Sequence, residues 1–159
     1  MMNMHKLNYT LIPVILALFV SGCASTVNMP VSYTAQSFSN LEGIRVSLGE
    51  FTYRPYIDAT AKSNQITNTA AGTIVIPEDV STYVRRATGI ELKNAGANLE
   101  NKTISIEGEV IKFEADDFGY SVDWYFTIKY TIINSSTGEE VFSKIYNSKP
   151  RNTGKFALP

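Results

Sequence analysis

Histidine, cysteine and clustered carboxylates do most of the chemistry in protein active sites. This chain of 159 residues holds one histidine, His5, and one cysteine, Cys23, both near its start. A lone thiol closes no intramolecular disulfide, and neither group has the partners that a His- or Cys-based nucleophile or a zinc set requires. Three carboxylates, Asp116, Asp117 and Asp123, cluster around one turn, where a calcium site or a glycosidase pair would be sought. The spacing lacks the Asp-x-Asp-x-Asp-Gly pattern of a calcium loop, and acid-rich turns are ordinarily solvated. Glu107 and Glu109 share one face of a strand and Glu139-Glu140 sits in a turn, so both pairs read as solvent-facing charge. Neither GxxxxGK[ST] nor GxGxxG occurs. The expectation is a non-enzyme, with no catalytic residue and no metal site.

Cys23 closes the tetrapeptide Val20-Ser21-Gly22-Cys23, which follows an apolar run from Leu11 to Val20. A membrane span needs about 20 apolar residues. This run is about half as long and is broken by Pro13, so with His5 and Lys6 before it the stretch suits a cleaved leader. The tetrapeptide resembles the lipobox of bacterial lipoproteins, an aliphatic residue and two small ones ahead of the cysteine. That resemblance implies that Val20, Ser21 and Gly22 are read by the signal peptidase, that Cys23 receives diacylglycerol and that the new amino group is acylated. The covalent lipid would be the only cofactor. Ala24 resembles the residue found in lipoproteins sent to the outer membrane, so the expected location is lipid-anchored there, facing the periplasm. Such a mature chain would have no imidazole and no free thiol.

Residues 1–22 thus read as the leader, 23–42 as the lipidated cysteine with a flexible tether rich in Ser, Thr and Asn, and 43–159 as a single periplasmic domain. The 14 basic and 15 acidic side chains nearly balance, and no basic stripe is interleaved with aromatics, which excludes a typical nucleic-acid surface. With 44% hydrophobic and 18% charged residues the composition is that of a folded domain rather than a disordered one.

Ile44, Val46 and Leu48 alternate with polar residues, and Phe51 and Tyr53 take the opposite parity after Gly49-Glu50, predicting a strand over 43–53 with a bulge at Gly49. Residues 54–72 are polar and read as a long loop, and Thr73 to Ile76 as a brief edge strand. Pro77-Glu78-Asp79 opens a helix whose apolar stripe is Val80, Tyr83, Val84, Ala87, Ile90 and Ala95, and Gly96 ends it. Strands follow over 103–114, along the alternating run from Val122 to Ile133, and over 141–148, stopping at Lys149-Pro150. The order predicts an α+β two-layer sandwich, one main helix packed on a mostly antiparallel sheet of about four strands. Trp124, Phe126 and Tyr130 read as core.

The strand GIRVSLGEFTYRP, the helix IPEDVSTYV…IELKNAGANL, and the strands ISIEGEVIKFE and WYFTIKYTI resemble the small α+β outer-membrane lipoproteins of the YajG type. They are more distantly similar to the LPS-assembly lipoprotein and to auxiliary lipoproteins of envelope ABC transporters. The resemblance covers roughly residues 43–148 and brings no catalytic residue. Such domains carry a second helix after the last strand, where this chain reads RNTGKFALP. Ile111, Phe113, Tyr125, Ile133, Phe142 and Tyr146 are therefore expected to form an apolar strip on the second face of the sheet, a surface for a partner unless the tether or the 54–72 loop covers it. Lys144, Lys149, Arg151 and Lys155 make the C-terminal end basic, which reads as a solvated tail or as a contact for anionic lipid. Three functions follow. The first is an accessory or scaffold subunit of a cell-envelope complex, with an envelope protein or a second copy as partner and membrane lipid at the anchor. The others are a periplasmic carrier of lipid or another apolar ligand, and a carboxylate-dependent hydrolase.

Overall fold

The computed structural model describes residues 25–36, 39–70, 72–100, 103–117 and 121–154; the leader, the lipobox and Cys23 lie outside them. In chain order the elements are β1 (Thr26–Asn28), β2 (Ser47–Tyr53), α1 (Arg54–Ile57), β3 (Gln65–Asn68), β4 (Thr73–Val75), α2 (Val80–Asn94), β5 (Ile104–Asp116), β6 (Ser121–Asn134), β7 (Glu139–Asn147) and β8 (Arg151–Gly154).

The two longest strands, β5 and β6, pair antiparallel along nearly their whole length. Shorter strands flank this central pair. On one side β2 lies parallel along the first half of β5 and β3 parallel along its end. On the other side β7 and β8 lie antiparallel along successive parts of β6. β3 continues outward through β4 to β1, which closes that edge in parallel.

This architecture overturns the expected sandwich of one helix on about four mostly antiparallel strands. The described chain is dominated by an eight-stranded mixed sheet, with only α1 and α2 as helices. The discrepancy has a physical origin. β1, β3, β4 and β8 are three or four residues long, and backbone pairing needs no side-chain alternation, so such strands leave little pattern to read. The stretch expected to be a flexible tether is likewise tied down over 26–36. Thr26 pairs with Thr73, the Met29 amide donates to the Val75 carbonyl at 2.8 Å, and Met29 and Val31 pack on the core.

The bulge in β2 falls where the parity change placed it, between Leu48 and Phe51. Bulges leave ladder groups unpaired. Here Arg85 of α2 donates to the Leu48 and Gly49 carbonyls at 2.8 and 2.9 Å, tying helix to bulge. α2 begins three residues after Pro77, with Asp79 at its N-cap. It ends at Gly96, whose φ of +92° is a left-handed conformation that glycine adopts freely. The Gly96 and Ala97 amides then donate to the carbonyls of Lys93 and Leu92, the paired bonds of a Schellman motif. Ile66, Ile76, Val80, Val110 and Ile128 are the fully buried centre of the core.

Tyr53 joins β2 to β3: its hydroxyl donates to the Gln65 carbonyl at 2.9 Å. Burial pushes its pKa up to about 12. A phenol whose folded pKa lies above its unfolded value contributes stability that is complete below the unfolded pKa and is lost as pH rises through the folded one. Urea unfolding at stepped pH should therefore show stability falling between about pH 10 and about 12. Tyr53→Phe should flatten part of that fall and cost about 0.5–1.5 kcal/mol at neutral pH. An unchanged alkaline slope in the variant would mean that Tyr53 is not the group responsible.

Candidate functional site: an apolar cleft between helix and sheet

α2 packs mainly on β2 and β5. The helix, 15 residues at about 1.5 Å each, is about 22 Å long, whereas β6, 14 residues at about 3.3 Å, reaches about 46 Å. The β6 and β7 part of the helix-side surface is thus left beyond its cover. What results is a cleft of about 590 Å³, within the range of small-ligand sites.

One wall is the stripe of α2 that includes Tyr83, Val84, Ala87, Thr88, Glu91 and Leu92, positions that recur at helical spacing. The floor is Ile106 and Phe113 of β5, Trp124, Phe126, Tyr130 and Ile132 of β6, and Phe142 of β7. Tyr33 closes one side; Ser148, Lys149 and Arg151 supply the remaining edge. The aromatic floor is interlocked. Phe113 meets Phe126 edge-on at 5.5 Å between centroids and Trp124 at 6.3 Å, geometries that the ring quadrupoles favour.

Polar groups sit only at the margins. The Thr88 and Tyr130 hydroxyls meet at 3.0 Å, bridging helix and sheet. The Glu91 carboxylate accepts from the Tyr33 hydroxyl and, at 2.7 Å, from the Gln36 amide. Burial, and then the hydrogen bond to Glu91, hold the Tyr33 phenol well above its ordinary pKa. Burial likewise raises Tyr130. At the other margin the Trp124 indole donates to Thr153 Oγ1 at 3.0 Å.

The structure separates the six residues expected to share a partner strip. β5 carries its extra residue at Ile111, between Val110 and Lys112, and a bulge of one residue reverses the parity beyond it. Phe113 therefore stands opposite Phe126, on the cleft side. Phe142 and Tyr146 stand opposite Ile132 and Ile128, on that side too. Tyr125 and Ile133 fall on the far face, whose other residues include Glu107, Glu109, Lys129 and Thr131. There Lys112 lies 4.8 Å from the Tyr125 ring centroid and pairs with Glu114 at 2.8 Å. Val141, Phe142, Ile145 and Tyr146 are all more than half exposed on β7, the last strand of the sheet path.

Asp116 and Asp123 oppose each other across β5 and β6 on the far face, away from the cleft. Each is engaged locally, Asp116 by the Thr69 hydroxyl at 2.6 Å and Asp123 by the Asn152 amide at 2.8 Å. Asp117 follows β5 directly and is not among the lining residues. Glu109 pairs with Arg54 of α1. Among the described residues no three His, Cys, Asp or Glu side chains are grouped as metal ligands, and no helix is long and apolar enough to cross a membrane. Lys149 and Arg151 of the basic C-terminal stretch reach the cleft edge, Lys144 is exposed on β7, and Lys155 lies outside the described residues. Tyr33, Thr88 and Glu91 carried no signal as a group, because Tyr33 and Glu91 are 58 positions apart.

No protein-family model and no curated protein matches the sequence. Among solved structures, a Xanthomonas campestris protein of the DUF330 family superposes with a TM-score of 0.60 over 82% of this chain and 81% of that one, at 10% identity, a likeness of fold alone. A lipoprotein of Neisseria meningitidis covers 73% of this chain and 87% of its own at 9% identity with a TM-score of 0.35. The PelC dodecamer of Paraburkholderia phytofirmans, at 15% identity over 80% of this chain and 83% of that chain, also reaches only 0.35. At that score neither of the latter two bears on function.

Proposed function

We propose that the chain is a non-enzymatic lipoprotein of the cell envelope, held at the periplasmic side of the outer membrane by lipid on Cys23, and that it binds an apolar group between α2 and the β5–β6 sheet. The lipobox-like residues support the anchor. The binding role rests on one observation: the cleft of about 590 Å³ keeps Phe113, Phe126, Ile132 and Phe142 incompletely buried at its floor, and exposed apolar area of this kind characterises binding surfaces. Of the functions considered, the apolar-ligand carrier fits this geometry best. The accessory or scaffold reading draws instead on the row Val141, Phe142, Ile145 and Tyr146 along β7, since an apolar edge strand is a template for another chain.

Metabolic labelling with palmitate should mark the wild-type protein and leave Cys23→Ser unmarked and released from the outer-membrane fraction. Native mass spectrometry of the wild type should show a retained apolar ligand. An unmarked wild type overturns the anchor. Ligand-free protein that instead cross-links in cells to one discrete envelope partner, or to a second copy, replaces the carrier by the scaffold.

A further inference from the structure

The two margins of the cleft differ in charge. Arg151 stands directly opposite Trp124 in the β6–β8 ladder, which places both on one face. The Ser148 amide donates to the Phe126 carbonyl at 2.8 Å, which fixes the start of the Lys149 to Arg151 stretch at the same end of β6. Tyr130, bonded to Thr88, lies six residues farther along the strand, about 20 Å away at about 3.3 Å per residue. Glu91 also lines the cleft, joined to Tyr33 and Gln36. Among the described residues no carboxylate forms an ion pair with Lys149 or Arg151. The cleft is thus a long apolar trough with two cations at one end.

We infer that the trough takes a single-chain amphiphile with an anionic head, carboxylate or phosphate, lying with its chain over Phe126 and Phe113 and its head between Lys149 and Arg151. The inference rests on the binding role proposed above and adds the ligand's class and its direction. An arginine meets either head group with two parallel hydrogen bonds, and a charge-assisted contact of this sort outlasts hydration better than a neutral one. The reverse orientation would set an anion toward the Glu91 carboxylate.

Trp124 is the only tryptophan of the chain and lines the cleft, so its emission reports occupancy. Bromine quenches it only at contact. The full chain, held in amphipol, is titrated with brominated stearate, with the alcohol of the same chain and with a lysophosphatidate carrying that chain. At least one anionic probe should quench at a concentration about tenfold or more below the alcohol, the size of one charged contact. A Lys149→Glu/Arg151→Glu variant should lose that advantage while binding the alcohol as the wild type does, which also verifies its fold. Tighter stearate than lysophosphatidate identifies a free fatty acid as the source, and the opposite order a lipid headgroup. Equal quenching by all three probes overturns the head assignment and leaves the cleft as a binding site. No quenching by any probe overturns both.

Discussion

Gly108→Val is expected to lower stability by about 3 kcal/mol, an effect at the upper end of overpacking substitutions. Gly108 lies mid-β5, with Phe51 of β2 as its partner on one side and Tyr130 of β6 on the other. A Cβ there would fall 2.4 Å from Cε1 and 2.5 Å from Cδ1 of the Phe51 ring. The missing side chain lets that ring lie across β5 and meet Tyr130 edge-on, with centroids 6.3 Å apart and planes at 73°. Any side chain at 108 displaces a ring that is only 8% exposed and removes a contact worth about 0.5–1.5 kcal/mol, beyond the packing strain. Valine's preference for strands and the loss of glycine's backbone freedom return about 1 kcal/mol at most. Urea unfolding followed by circular dichroism measures the balance. In a Phe51→Ala background the same substitution should cost far less, because the atoms it collides with are gone. Equal costs in both backgrounds would show that the ring is not the obstacle.

The elements that hold Gly108 in place were the ones visible in the chain. β5, β6, β7 and α2 are long enough for a period of 2 or 3.6 to repeat, and Gly49-Glu50 announced its bulge by a change of parity. The second bulge was silent. Val110, Ile111 and Phe113 are all apolar, so nothing along β5 marks which of them is the extra residue, and the assignment of Phe113 to the far face followed from that ambiguity. Pro150 read as the end of the sheet. Proline halts a strand by lacking a donor, yet the chain is free to resume once past it, and β8 starts at Arg151 beside a different part of β6. The cleft was legible only as composition: Trp124, Phe126 and Tyr130 have the alternation of a core, which Trp124 joins at 6% exposure, while the incomplete cover of Phe126 and Tyr130 depends on where α2 ends and on Tyr33 lying against it. Contacts between segments so far apart in sequence are set by the whole fold, and local pattern carries no trace of them.

Two isoleucines of β6 that face the same way distinguish a binding cleft from closed core. Ile128 is 0% exposed, between Val110 of β5 and Tyr146 of β7. Ile132, four residues and so two repeats of the pleat farther, stands between Ile106 and Phe142, half-buried at the cleft floor. Truncating Ile128 to alanine removes atoms enclosed on every side and leaves a void, at a cost of about 2–5 kcal/mol. Truncating Ile132 removes atoms that already border open space, so only the transfer of a part-exposed side chain is lost, about 1 kcal/mol. The order should invert for the ligand, with Ile132→Ala weakening the quenching of Trp124 by a bound brominated chain and Ile128→Ala leaving it unchanged at temperatures where both variants are folded. Equal destabilisation by the two would mean that the floor at Ile132 is closed in solution. The apolar residues along β6 would then be core throughout, as their alternation alone suggested, and the cleft would hold nothing.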